Sequence, residues 1–191
     1  GQLLADADID AIEVNVSCPN LEDRSNMFAH SPEATHAAVA AVGGAHPRWA
    51  KLSPNTSHLV DVAGAALDAG AEALTLTNTV LGMVIDVETR SLALGGGGGG
   101  LSGPAIHPVA VRAVYECHRA HPNAPIIGVG GVRNARTAIE MVMAGASAVQ
   151  VGTAALAEPR ALWRIQDEIN AWLDAHGIDE IDQLRGAAHG R

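Results

Sequence analysis

The sequence predicts an α/β fold built on a parallel sheet, and three observations predict it. Short β-prone runs alternate with helical ones along most of the chain. One such run, Pro125-Ile126-Ile127-Gly128-Val129, is apolar throughout, as a strand covered on both faces must be. The runs also end in Asn, Pro, Gly or Thr, so small and polar residues collect at the carboxyl ends of the strands.

The first strand covers residues 12–16, where apolar and polar residues alternate and Ile12, Val14 and Val16 are β-branched. Pro19 cannot donate to a ladder and biases Cys18 away from helix, so the strand stops there. The loop bearing Asp23, Arg24, Ser25 and Asn26 reads as a connector or, beside a thiol, as a lid. Ser31-Pro32-Glu33 starts a helix, with a hydroxyl cap followed by proline at the first helical position. It ends near Val42, before Gly43-Gly44. The second strand is 49–53. A helix over 57–69 places Leu59, Val62, Ala63, Ala66 and Leu67 on one stripe and closes at Gly70. The third strand is 73–77, and residues 84–94 read as a hairpin around a turn at 86–90. The Gly95–Gly100 run is of low complexity and reads as flexible, and for its first four residues that reading prevails over a phosphate loop. Then come a helix (107–121), the apolar strand, a helix (134–144), a strand (148–151), a helix (159–173) and a short helix (178–184).

The pattern is five strands with crossovers, which requires parallel pairing. An open doubly wound sheet and a (β/α)8 barrel both fit this pattern, and with no G-x-G-x-x-G after a strand a Rossmann cofactor site is poorly supported. A full eight-stranded barrel needs roughly 250 residues. On the barrel reading the 191 residues are the carboxyl-terminal five β/α units of a TIM (β/α)8 barrel, amino-terminal strands missing, forming one partial domain over residues 1–191.

Composition excludes several functions. The formal charge is −9 with no basic cluster, which argues against nucleic acid or an anionic membrane as partner. No apolar run reaches spanning length and no signal-peptide pattern is present, so a cytoplasmic location is expected. The two cysteines, Cys18 and Cys117, sit in unlike contexts and are expected to be free thiols, Cys117 as core filler. His118 and His121 lie three apart on one helix, but no third ligand follows at metal-site spacing.

What the strand ends deliver is more specific. They supply Asn15, Cys18 and Asn20, then Lys51, then Asn78 and Thr79, then Gly130 and Gly131, then Gly152 and Thr153. In parallel α/β folds ligands bind at these ends, and in barrels the loops after the last two strands often take phosphate. Glycines also simply start tight turns, but two successive strands ending in them favour a phosphate cradle. Carboxamides both donate and accept, which suits a planar ligand with alternating N–H and C=O edges. Lys51 is the single lysine in a chain that otherwise uses arginine, and its ammonium suits negative charge developing on an electron-accepting ring. An ordinary thiol has a pKa of about 8.5, so Cys18 with modest activation suits a general base. Together these describe a flavin dehydrogenase.

The segments NVSCPN, KLSPN, TNT, GGLSGPA, IIGVGGV and GASAVQVGTA, in this order, resemble those of the FMN-dependent dihydroorotate dehydrogenases. The resemblance runs from Ile12 to about Glu158. Cysteine in the first segment is similar to the class 1 enzymes, and K-L-S-P-N with V-L-G-M-V-I-D-V-E-T-R to their NAD-linked subclass. The resemblance implies that Cys18 removes the C5 proton of dihydroorotate while the C6 hydride passes to FMN, giving orotate for pyrimidine (UMP) biosynthesis. It implies that Asn15, Asn20, Asn78 and Thr79 bind the substrate, Asn15 also lying near the flavin. Lys51, Thr77, Gly103, Gly130, Gly131, Gly152 and Thr153 would hold FMN. It further implies an electron-transfer subunit carrying FAD and a [2Fe–2S] cluster, and a homo-oligomer at full length. Two other readings stay open: another FMN barrel acting on a uracil-like ring, similar to dihydropyrimidine dehydrogenase, or an inactive half-barrel. The resemblance departs in lacking the family's amino-terminal half, and its glycine run before Leu101 is longer than the family's.

Overall fold

The computed structural model describes residues 1–4, 6–17 and 28–190. Strand β1 (Ile12–Asn15) is followed by helix α1 (Pro32–Ala40), which begins as its sequence requires. Ser31 Oγ accepts a hydrogen bond from the Ala34 N–H at 3.1 Å, and Pro32 takes the first helical position. Next come β2 (Arg48–Leu52), α2 (Leu59–Asp68) and β3 (Ala73–Leu76). Helix α2 buries Leu59, Val62, Ala63 and Ala66, most of the predicted stripe. Gly70, at φ +92°, turns the chain back toward the sheet.

The excursion after β3 is more ordered than its sequence indicates. It contains β4 (Val80–Gly82), β5 (Ile85–Asp86), β6 (Ser91–Leu92) and β7 (Gly99–Leu101). Strands β5 and β6 form the expected hairpin. The Asp86 carboxylate accepts from the Glu88 and Thr89 N–H groups across its turn, and these bonds hold its pKa below the ordinary carboxylate value. The last two residues of the glycine run are ordered, because Gly99 and Gly100 pair antiparallel with Gly82 and Leu81. A ladder needs backbone groups rather than side chains, and a Cβ on Gly100 would collide with the Thr79 side chain.

Helix α3 (His107–Ala120) leads to β8 (Ile126–Val129), α4 (Ala135–Met143), β9 (Ala148–Gln150), α5 (Thr153–Ala157) and α6 (Ala161–His176). Asn134 and Thr137 close a reciprocal capping box at the start of α4. Helix α6 starts later and runs further than expected. It continues through Leu173, buried against Ile139 and Val142 of α4, and stops at Gly177 in the left-handed region.

The main sheet has five parallel strands in the order β1-β2-β3-β8-β9. One face carries Ala50, Leu52, Leu74, Leu76 and Ile126, all fully buried in one cluster with helix residues such as Val62, Val114 and Met141. The opposite face carries Glu13, Asn15, Lys51, Thr75, Thr77 and Gln150. The Glu13 carboxylate on β1 accepts from Thr75 Oγ1 on β3 at 2.8 Å and from Gln150 Nε2 on β9 at 3.5 Å. Strands β1 and β9 are four spacings apart, roughly 19 Å in a flat sheet. Two side chains meet across that span because the sheet curls, and the polar face is the concave one. This curl in sequential parallel order is the architecture of a (β/α)8-barrel wall.

Candidate active site

The carboxyl ends of the strands converge on one rim. Nine of the predicted residues (Lys51, Thr77, Asn78, Thr79, Gly103, Gly130, Gly131, Gly152 and Thr153) line a single hollow of about 130 Å³, with Ser102, Ile106 and Val129 completing its wall. A second hollow of about 300 Å³ shares Gly103, Gly131, Gly152 and Thr153 with the first. The two run together as one elongated groove.

Asn15 joins the rim through Asn78. The Asn78 carboxamide nitrogen lies 2.8 Å from Ser17 Oγ, 3.1 Å from the Ser17 carbonyl and 3.3 Å from Asn15 Oδ1. Asn15 Oδ1 in turn accepts from the Ser17 N–H and hydroxyl. Ser17 is thus held beside Asn78 immediately before the predicted base. Cys18 and Asn20 themselves, and the loop through Asn26, lie outside the described residues. Asn55 fixes the segment beyond Asn78, donating to the Thr79 carbonyl at 3.0 Å and accepting from the Leu81 N–H at 2.9 Å.

Lys51 Nζ sits 3.7 Å from Glu13 Oε1, with both side chains about a quarter exposed. Thr75 is fully buried, and its hydroxyl anchors the other Glu13 oxygen. The sequence reading missed Glu13, Thr75, Gln150 and Ser17. The signal for the first two was present: each lies two residues before a site residue on the same strand, and period two places such pairs on one face. The same spacing marks Ser17, two residues after Asn15, and Gln150, two before Gly152.

Several features fit a cofactor with a planar ring and a phosphate. Thr77 Oγ1, in the first hollow's wall, is buried without a hydrogen-bond partner among the described residues. Such a group calls for a polar atom from a ligand. Gly152 would meet nothing with an added Cβ, so its backbone faces open space in the groove. Gly130 and Gly131 adopt φ values of +139° and +68°, and a Cβ on either would strike a neighbour at 2.7 Å.

In the wall of the second hollow, Arg164 forks onto Glu158 and also pairs with Glu168. Hydrogen bonding to Arg164 lowers the Glu158 pKa; the Ala135 N–H, and then Arg164, lower that of Glu168. Cys117 is buried in the core, which pushes its thiol up to about 12. His118 and His121 have separate neighbours: His121 Nε2 meets the Val60 carbonyl at 3.3 Å, while His118 lies against the His189 ring. Among the described residues no helix is long and apolar enough to cross a membrane.

A curled parallel sheet with its polar groove at the strands' carboxyl ends defines a (β/α)8-barrel protein with a ligand site on the barrel rim. The fold matches a solved structure of DHODH from Eimeria tenella in complex with ferulenol, with a TM-score of 0.78 and 22% identity, over 95% of this chain and 55% of that one. The dihydroorotate dehydrogenase family model matches residues 4–173, and the chain belongs to that family. It is 45% identical over 183 residues to the dihydroorotate dehydrogenase B (NAD(+)) catalytic subunit of Geobacter sp. (strain M21), and 48% identical over 183 residues to that of Desulforudis audaxviator. Each match covers 95% of this chain. The chain spans about 60% of the length of these curated relatives.

Proposed function

We propose that this chain carries the flavin groove and catalytic base of an NAD-linked dihydroorotate dehydrogenase, which oxidises dihydroorotate to orotate in pyrimidine biosynthesis. The observation that carries the reading is the convergence of Lys51, Thr77, Asn78 and Thr79 with four glycine backbones on one groove. FMN, when bound, supplies the acceptor for the C6 hydride.

The chain's own residues do the rest. Asn15, Asn20, Asn78 and Thr79 hold the planar substrate through paired donors and acceptors, with Asn15 also beside the flavin. Cys18 takes the C5 proton as the hydride leaves C6, so the ring loses a proton and a hydride and gains the C5–C6 double bond. Lys51 places positive charge where the acceptor ring becomes electron-rich. Thr77 offers its buried hydroxyl to the ring or ribityl chain, and Gly103, Gly130, Gly131, Gly152 and Thr153 admit the ribityl phosphate. A separate subunit carrying FAD and a [2Fe–2S] cluster would pass electrons on to NAD, and the full-length protein would assemble as a homo-oligomer in the cytoplasm.

The test is anaerobic addition of dihydroorotate to the flavin-loaded full-length protein, watching the visible flavin band. Bleaching is expected, slowed strongly at neutral pH in Cys18→Ser because an alcohol is the weaker base, and lost in Cys18→Ala. Orotate perturbs the spectrum and uracil does not. A loaded protein that fails to bleach, or a Cys18→Ala variant that bleaches normally, overturns the proposal.

A further inference from the structure

We infer that His107 is a positioning residue for the Gly130–Gly131 turn, its ring bridging the Gly130 carbonyl and the Glu140 carboxyl group. The inference rests on the reading of that turn as part of the flavin groove.

His107 opens α3 and its side chain is only 9% exposed. Its Nδ1 lies 2.8 Å from the Gly130 carbonyl oxygen and its Nε2 lies 2.9 Å from Glu140 Oε2. The carbonyl can only accept, so Nδ1 carries an N–H and donates to it, and the proton of the second contact sits on Nε2 or on the carboxyl group.

The consequence falls on the backbone. In a trans peptide the carbonyl and the following N–H face opposite ways. Fixing the Gly130 carbonyl on His107 therefore aims the Gly131 N–H to the other side of the turn, and Gly131 lines both hollows of the groove. The packing leaves the turn little freedom, since an added Cβ on Gly131 would meet His107 Cβ at 2.7 Å and the Gly103 carbonyl at 2.9 Å. Glu140 is oriented by Arg136, whose Nε donates to the other carboxylate oxygen at 3.3 Å. The remaining charged groups in the hollow beside His107 lie on its own helix: Arg112 and Glu116, paired at 2.8 Å, and Arg119. The Gly130–Gly131 turn and Gly103 bring backbone alone to the ring.

FMN affinity of the full-length protein, followed by quenching of flavin fluorescence, tests this. His107→Leu, which cannot donate to the Gly130 carbonyl, weakens FMN binding about tenfold, and His107→Gln, whose amide N–H can donate there, recovers much of the loss. A His107→Leu protein that binds FMN as the wild type does, or a loss that His107→Gln does not relieve, overturns the inference and leaves the flavin site standing. A wild-type protein that binds no FMN overturns the flavin reading instead, and the role of the turn falls with it.

Discussion

The two faces of the five-stranded sheet are built from the same strands and do opposite work. On β3, Leu74 and Leu76 are fully buried in the helix-covered core, while Thr75 between them faces the concave side and bonds to Glu13. On β2, Ala50 and Leu52 join the core, and Lys51 stands beside Glu13. One residue's step along a strand moves a side chain from the layer that holds the molecule together to the layer that holds its site. Stability and chemistry are thus separable by register, and substitutions on adjacent residues should report on different properties.

The sharpest break comes from the helix side. Leu74→Ala removes a fully buried side chain and should cost about 2–5 kcal/mol, read by denaturant unfolding of the full-length protein. The folded fraction should keep its flavin affinity. A large loss of affinity at unchanged stability would show that the two faces are not independent.

A smaller effect is expected one residue on. Thr75→Val keeps the shape and removes the hydroxyl that anchors Glu13 Oε2, for a stability loss of about 1 kcal/mol. Its larger consequence should be functional: Glu13 is loosened beside Lys51, and flavin reduction by dihydroorotate slows. A Thr75→Val protein with normal reduction kinetics would make the concave face at this depth mere packing.

The least change is predicted for the thiol of the covered side. Burial raises the Cys117 pKa to about 12, so it stays a neutral thiol until far above physiological pH. A thiol reagent at mildly alkaline pH should leave Cys117 unmodified in the native protein and label it after denaturation. Thiolate-dependent labelling of the native protein should then map to Cys18. Native labelling of Cys117 would show that the core opens more readily than its packing implies.

The elements were legible because their signals are local. Ser31-Pro32, the α2 stripe and Gly70 announce a cap, a face and a stop within a few residues, and the helix boundaries follow to within about two or three positions. Nine of the residues expected at the groove were legible for a similar reason, since most stand where strands end. What could not be seen was any relation between strands. The pairing of Gly99 and Gly100 with Gly82 and Leu81 joins segments whose own composition specifies nothing. His107 looked like the first residue of an ordinary helix, and only the approach of α4 and the Gly130 turn gives both its nitrogens partners.

The sequence by itself determined the order of strands and helices, the parallel pairing that this order requires, and which residue types arrive at each strand's end. Those follow from periodicity and backbone chemistry within short windows. Tertiary structure alone decided that the sheet curls far enough for Glu13 on the first strand to meet Gln150 on the last, and that Lys51 and Thr75 gather around that carboxylate. Curl is the sum of small twists over many strands, and no single window of sequence contains it.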